Sequence, residues 1–137
     1  MSEEINEAFL QEKALKVRRS IISMVHRANS GHVGGSLGAT DILVALYYHL
    51  MNHDPKDPAM ADRDRFILSK GHASLALYAA FYLKGWIDKA QLNTYCADGT
   101  LLAVHPDTRL RGIEFSTGSL GQGLSAGAGM ALGLRMH

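Results

Sequence analysis

Eleven of the fourteen glycines in this 137-residue chain lie in two short segments, four in residues 31–38 and seven in residues 112–133. Glycine adopts backbone angles that other residues avoid, and it lets a second backbone approach closely. Such clusters occur in turns, on closely packed helix faces and in loops that bind anionic ligands. The fold must therefore accommodate two glycine-rich segments that serve packing, ligand binding or both.

Composition narrows the class of protein. Hydrophobic residues make up 47% of the chain and charged residues 20%, with a net charge of +1, which suits one globular domain rather than a polyanion-binding or disordered segment. We therefore expect no nucleic-acid partner. Cys96 is the one cysteine, which indicates a reducing compartment, the cytoplasm. The sequence has neither the pattern of a secretory signal nor the aliphatic run of a membrane span, so no membrane association is expected.

Apolar periodicity predicts more helix than strand. The predicted helices cover residues 3–28, 41–51, 72–84, 88–96 and about 117–136. The best strand candidate is 65–69, and residues 101–104 form a strand or an extended loop. Buried helices need a sheet to cover, and one or two strands are too few. We therefore expect an α/β fold with an incomplete parallel sheet and flanking helices.

The charged segment between the second helix and the first strand is predicted to be a solvated loop. Its aspartates alternate with basic residues such as Lys56, Arg63 and Arg65. Such mixed runs usually form exposed ion pairs of small energetic value. This segment is therefore not expected to contribute to a site.

Three loops combine a histidine with glycine or proline, and they contain His32, His72 and His105. Histidine can donate hydrogen bonds to phosphate or hydroxyl groups and can move protons near neutral pH. A fourth loop, 116–123, is rich in glycine and leads into a helix, which suits an anion such as a diphosphate. Taken alone, a loop histidine beside glycine more often has a structural role, and the glycine-rich run is also compatible with close helix packing only. Zinc binding by the three histidines is a further alternative, disfavoured by their wide separation and the lack of a His-x-x-x-His pair.

Taken together and in order, these motifs resemble the thiamine-diphosphate-binding half of transketolases. The residues that carry the resemblance are Ser30-Gly31-His32, Arg63-Asp64-Arg65-Phe66-Ile67-Leu68-Ser69-Lys70-Gly71-His72, His105-Pro106 and Thr117-Gly118-Ser119-Leu120-Gly121-Gln122-Gly123. The likeness runs from about residue 10 to the last residue and is strongest to the N-terminal subunit of two-chain transketolases. It implies that residues 1–137 are the first part of a thiamine-diphosphate-binding domain, truncated before the metal motif.

The resemblance also implies roles for individual residues. His32 and His105 are expected to contact the sugar substrate and to take part in catalysis. His72 and His105 are expected beside the cofactor, with the backbone of Gly118, Ser119 and Leu120 holding its thiamine end. The implied reaction is transfer of a two-carbon ketol unit from a ketose phosphate to an aldose phosphate, with pentose phosphates as the expected sugars.

Other parts of the implied enzyme are not found in this sequence. The Gly-Asp-Gly…Asn motif that would bind Mg²⁺ or Ca²⁺ is absent, so the metal ligands are expected beyond this chain. A C-terminal subunit or domain is the expected partner, in a dimer, and this chain alone is expected to be inactive. Ser119 replaces a proline common in the family, and Val104 replaces a glycine. The alternatives are a non-catalytic assembly module and a related enzyme that makes deoxyxylulose phosphate.

Overall fold

A computed structural model describes residues 6–54 and 56–136. Its α-helices are α1 (Glu7–Ala28), α2 (Val33–Ala45), α3 (Ser74–Lys84), α4 (Lys89–Leu92) and α5 (Gln122–Arg135). A π-helical turn, Leu46–Leu50, extends α2, and a 3₁₀ turn, Gly71–Ala73, precedes α3. None of the helices in the described residues is both long and apolar enough to cross a membrane.

The core is built around α3, which is buried along most of its length. Every residue from Ala73 to Phe81 is buried. Helices α1 and α2 pack against it and against each other. The side of α1 that faces the core repeats at helical spacing through Ala14, Val17, Ile21 and Met24, as expected for an amphipathic helix. These three helices form one apolar cluster to which the loops are attached.

The predicted helix over 3–28 is confirmed from Glu7 onward, whereas residues 3–5 lie outside the described residues. The side chain of Asn6 caps it by accepting a hydrogen bond from the Phe9 N–H at 3.0 Å. The helix ends at Asn29, whose φ of 48° is left-handed. Asparagine tolerates this conformation better than most residues, which explains why the chain can turn here.

The second helix begins earlier than the sequence predicts. Residues 30–36 were expected to form a loop before a helix over 41–51, but α2 starts at Val33 and includes three glycines. Glycine disfavours helix interiors by roughly 1 kcal/mol. Burial of Ser36, Thr40, Leu43 and Val44 against the core provides packing that outweighs this cost. Tertiary packing therefore sets the start of this helix.

The predicted strand over 65–69 is absent from the described residues, and residues 101–104 form a loop, the second of the two alternatives for that segment. Segments 65–69 and 101–104 have no strand assignment, and a strand requires a neighbour that pairs with its backbone. The backbone of 65–69 instead makes local contacts, such as the Ser69 N–H donating to the Ile67 carbonyl at 3.1 Å. The predicted sheet therefore has no counterpart within residues 6–54 and 56–136.

The remaining helices are confirmed with shorter bounds. Asp88 and Gln91 form a capping box at the predicted start of this helix, but α4 ends at Leu92 rather than near residue 96. Cys96 has a left-handed φ of 60°, and its N–H donates to the Leu102 carbonyl. The last helix begins at Gln122, after Gly121 with a φ of 89°, rather than at 117. Positive φ is inexpensive for glycine, which allows the sharp turn into α5.

The prediction that all charges of 54–65 lie on a solvated face is wrong for Arg63. Its side chain is 13% exposed and pairs with Glu114, which is 10% exposed. The partner lies 51 residues away in the sequence, so local charge alternation could not reveal it. Arg63 instead attaches this segment to the loop that precedes α5.

Adjacent isoleucines of α1 test the position of the core. Ile21 is fully buried and Ile22 is 51% exposed. Ile21→Ala is expected to lower the free energy of unfolding by about 2–5 kcal/mol, because it leaves a cavity. Ile22→Ala should change it by no more than about 0.5 kcal/mol. Urea unfolding of the two variants measures both values, and equal losses would contradict this orientation of α1.

Candidate functional site

Three histidine rings from separate loops meet beside the start of α3. The ring centroid of His72 lies 4.8 Å from that of His32 and 4.5 Å from that of His105. The centroids of His32 and His105 are 6.4 Å apart. His32 is exposed, whereas His72 and His105 are half-buried. We call these three side chains the histidine cluster, and its members come from the three histidine loops that the sequence singled out.

Helix α3 fixes the loop that contains His105. The Tyr78 hydroxyl donates to the carbonyls of Ala103 at 2.9 Å and His105 at 3.2 Å. The Ser74 hydroxyl donates to the Val104 carbonyl at 2.6 Å. These hydroxyls lie one turn apart on one helix face, so they hold three consecutive carbonyls. The sequence marked neither residue as part of a site, because both read as ordinary members of a buried helix.

The electrostatic environment keeps His105 neutral at pH 7. Burial lowers the pKa of His105, and the nearby rings of His72 and His32 lower it further. Desolvation and like charge both disfavour the protonated imidazolium. Nε2 of His105 and Nδ1 of His72 are buried and have no hydrogen-bond partner among the described residues. Buried ring nitrogens without partners are rare in packed interiors, and a bound polar ligand is one arrangement that would satisfy them.

The loop before α5 packs directly against the segment that leads to His72. A Cβ atom on Gly71 would lie 2.6 Å from Oγ1 of Thr117 and 2.8 Å from its carbonyl carbon and oxygen. The Thr117 hydroxyl donates to the Leu68 carbonyl at 2.7 Å, and its N–H donates to the Pro106 carbonyl at 3.3 Å. Thr117 therefore joins three segments, and glycine is required opposite it.

Two further glycines allow close contacts of the same loop, one with the histidine cluster and one with the segment that leads to His72. A Cβ atom on Gly118 would contact the His105 ring at 3.4 Å. One on Gly123 would lie 2.6 Å from Cβ of Ser69 and 2.7 Å from its Cα. Gly123 is the one residue of α5 that is buried. Ser119 and Leu120, between these glycines, are exposed, so their backbone lies at the surface beside the cluster.

The N-termini of three helices near the histidine cluster favour a negatively charged ligand. His32 is the N-cap of α2, and His72 lies in the turn before α3. The loop beside His105 leads into α5, and the first turns of α2, α3 and α5 contain no acidic residue. Helix N-termini have free N–H groups and a partial positive charge. The site can therefore attract an anion while the lowered pKa of His105 favours its neutral form.

The described residues do not group into a metal site. No set of three or more His, Cys, Asp or Glu side chains within residues 6–54 and 56–136 could hold a metal ion. The three rings of the histidine cluster contact one another edge to face or tilted, which is not the arrangement of nitrogens converging on one ion. The alternative of a zinc site built from these histidines is therefore not supported.

The family comparison gives one match that spans most of the chain. The family described as "Transketolase, thiamine diphosphate binding domain" matches residues 10–137. The chain is 47% identical over 128 residues to a 6-deoxy-6-sulfo-D-fructose transketolase subunit of Clostridium sp. (strain MSTE9), covering 93% of this chain and 46% of that protein. It is 40% identical over 127 residues to an apulose-4-phosphate transketolase subunit of Phocaeicola vulgatus, covering 93% and 45%. The chain thus spans less than half the length of these relatives.

Solved structures give the same result for the fold. Transketolase from Campylobacter jejuni superposes with a TM-score of 0.81 at 40% identity, covering 88% of this chain and 19% of that one. Transketolase from Leishmania mexicana superposes with a TM-score of 0.80 at 31% identity, covering 84% and 18%. The helical arrangement around the histidine cluster is therefore similar to the corresponding part of these structures.

Two glycines of α5 test the close approach between this helix and Ser69. Gly123→Ala is expected to lower the free energy of unfolding by about 1–3 kcal/mol, because its Cβ has no room beside Ser69. Gly129→Ala is the matched control, since nothing lies within 4 Å of its Cβ. It should be neutral or stabilising by up to about 1 kcal/mol. Urea unfolding measures both, and a stabilising Gly123→Ala would contradict the contact.

The electrostatic coupling within the histidine cluster can be measured directly. His72→Gln removes a ring whose positive charge disfavours protonation of His105, so the pKa of His105 should rise. Titration of the His105 ring signals by NMR measures this change. His26→Gln is the control, because His26 lies exposed in the last turn of α1. A His105 pKa that stays constant in His72→Gln, or rises equally in the control, would refute the coupling.

Proposed function

The chain belongs to the transketolase family of thiamine-diphosphate-binding domains, and from this we propose that residues 1–137 are the N-terminal part of a ketol-transferring subunit. The reaction would move a two-carbon ketol unit from a ketose phosphate to an aldose phosphate. The observation that carries the proposal is the convergence of His32, His72 and His105 next to Gly118. Their loops are far apart in sequence, and the fold brings them to one place.

The residues present fit a diphosphate cofactor. Nδ1 of His72 and Nε2 of His105, which have no hydrogen-bond partner in the part of the chain that the structure describes, can bond to a polar ligand. Gly118 lies beside His105, and the exposed residues Ser119 and Leu120 follow it toward the N-terminus of α5. When bound, thiamine diphosphate supplies an electron sink for the carbon–carbon bond that is cleaved. In this proposal His72 binds the diphosphate, and the 118–120 backbone holds the thiamine end.

The two remaining roles fall to His32 and His105. His32 is the most exposed of the three rings, which suits contact with the sugar. His105 is neutral at pH 7 because of its lowered pKa, so it can accept a proton from a substrate hydroxyl and return it. His105 would also position the terminal hydroxyls of the sugar. Both histidines are therefore assigned to substrate binding and proton transfer.

The proposal assigns the metal to residues outside this chain. A Mg²⁺ or Ca²⁺ ion would bridge the diphosphate, and its carboxylate and amide ligands are not among the described residues. A C-terminal subunit or domain would supply the rest of the active site, in a dimer. This division fits the two similar proteins that are named as transketolase subunits. We place the protein in the cytoplasm, where sugar phosphates occur.

The predicted parallel sheet also becomes part of the proposal. Residues 65–68 are neither helix nor strand, and a groove of about 590 Å³ separates the chain around them from α5. Ile67 lines this groove on one side, and Leu124, Met130 and Leu134 line it on the other. An apolar groove beside a segment of strand-like composition suits a strand that pairs with it. We propose that 65–69 is the strand of the α/β fold that this chain contributes.

The substrate is proposed to be an anionic sugar. The two similar subunits are named for 6-deoxy-6-sulfo-D-fructose and apulose 4-phosphate, and each name includes an acidic group. Pentose phosphates remain our expectation for this chain. No residue in the histidine cluster distinguishes among such sugars, since the cluster would contact the end of the donor that is cleaved.

The proposed activity is tested with the protein and its partner subunit, thiamine diphosphate and Mg²⁺. We expect a ketose phosphate and an aldose phosphate to yield the products of ketol transfer, identified by mass spectrometry. Pyruvate with glyceraldehyde phosphate tests the alternative that the product is deoxyxylulose phosphate. Absence of both reactions together with absence of metal-dependent cofactor binding would favour the non-catalytic assembly module.

The role of His72 has its own test. His72→Ala should weaken binding of thiamine diphosphate by about tenfold or more, because it removes a hydrogen bond to a charged group. Isothermal titration calorimetry of the assembled protein measures this change. His49→Ala is the control, since His49 is exposed in the π-helical turn, outside the histidine cluster. Unaltered binding in His72→Ala would show that the diphosphate lies elsewhere.

A further inference from the structure

Arg63, Arg65 and Glu114 form an ion-pair cluster outside the histidine cluster. Arg63 donates to Oε1 of Glu114 through Nε at 2.9 Å and Nη2 at 2.5 Å. Arg65 approaches Oε2 through Nη1 at 3.4 Å. Both oxygens of one carboxylate are therefore engaged by two arginines. Arg63 and Glu114 are largely buried, and Arg65 is 26% exposed, so water competes weakly for the central pair.

This cluster is fixed to its surroundings at several points. Arg63 also donates through Nη1 to the Met60 carbonyl at 2.7 Å, and Arg65 through Nη2 to the Ala61 carbonyl at 3.0 Å. The buried ring of Tyr47 lies close enough that burial first, and then the negative charge of Glu114, raise the pKa of its hydroxyl. The carboxylate of Glu114 thus has a defined place against the apolar core.

The ion-pair cluster lies at one end of two segments, 63–72 and 114–123, that contact each other at several points. Glu114 meets Arg63 and Arg65, Thr117 bonds to Leu68, and Gly123 packs on Ser69. Following the first segment from Arg63 leads to His72. Following the second from Glu114 leads to Gly118 and Leu120. The alignment set at the ion pairs therefore carries through to the loops proposed to hold the cofactor.

We propose that Glu114, held by Arg63 and Arg65, is a positioning residue that sets the alignment of the 117–121 loop relative to His72 and His105. This inference rests on the proposed function for its effect on the cofactor, but the loop position itself does not depend on that function. Glu114 touches no ring of the histidine cluster, so it acts through Thr117 and Gly118. Arg63 sets the orientation of the Glu114 carboxylate, because a planar guanidinium that donates through two nitrogens is compatible with only a narrow range of carboxylate orientations.

A purely stabilising role would have a different consequence. Replacing a buried ion pair with apolar side chains of similar size often leaves stability unchanged or improved, whereas removing one charge leaves the other uncompensated. In both cases the hydrogen bonds that fix the orientation of the two segments are lost. A double variant that restores packing but not direction therefore separates positioning from stabilisation.

The test compares Glu114→Gln with the double variant Arg63→Met/Glu114→Leu in the protein assembled with its partner subunit. Urea midpoints measure stability, and hydrogen–deuterium exchange measures the order of amides 117–121. We expect exchange there to increase in both variants, with the urea midpoint retained in the double variant. The KM for thiamine diphosphate should rise about tenfold with little change in kcat at saturating cofactor, since small displacements of site groups have effects of this size.

Asp57→Asn is the matched control. Asp57 pairs with Arg111, which attaches the same loop through an exposed ion pair, and its loss should leave the exchange of 117–121 and the KM unchanged. Wild-type exchange and KM in the double variant would overturn the positioning role. The exchange measurement requires no cofactor, so it decides the role of Glu114 whether or not the assembled protein is active. Absence of ketol transfer in the assembled protein would refute the proposed function alone.

Discussion

The structure depends on the burial of α3 on all sides. A helix without a solvent face must be covered by other elements, and α1 and α2 cover one side of it. The 102–110 segment covers another through Leu102 and Leu110. Because the polar side chains of Ser74 and Tyr78 in this helix are buried, they must find partners. Ser74 and Tyr78 find them in the carbonyls of 103–105, so burial of the helix also fixes the His105 loop.

The parts of this fold that could be predicted from sequence are those whose signal is local. The apolar repeat of α1, the capping box at Asp88 and the helix end at Gly85 all involve residues within a few positions of one another. The histidine loops were likewise found through short motifs, and their order in the sequence led to the family. That those loops lie close together could be expected only from the family resemblance, because spacing along the chain does not reveal distances in the folded protein.

The parts that could not be predicted depend on contacts between distant segments. Helix α2 starts at Val33 because buried residues further along it pack on the core, a gain that glycine propensity cannot reveal. Segment 65–69 has strand-like composition, yet a strand forms only with a partner backbone. The pairing of Arg63 with Glu114 spans 51 positions. In each case the sequence supplies a preference, and a distant contact decides the outcome.

The site combines a histidine whose pKa is lowered, His105, with the positive potential of helix N-termini. A protonated histidine cluster would attract a diphosphate, but three adjacent charged rings would repel one another, and burial would add to the cost. The lowered pKa of His105 shows how this fold resolves the conflict. The N-termini of α2, α3 and α5, without acidic residues in their first turns, can attract an anion with no titratable charge. The imidazole of His105 remains available for proton transfer, so anion binding and proton transfer are assigned to different groups.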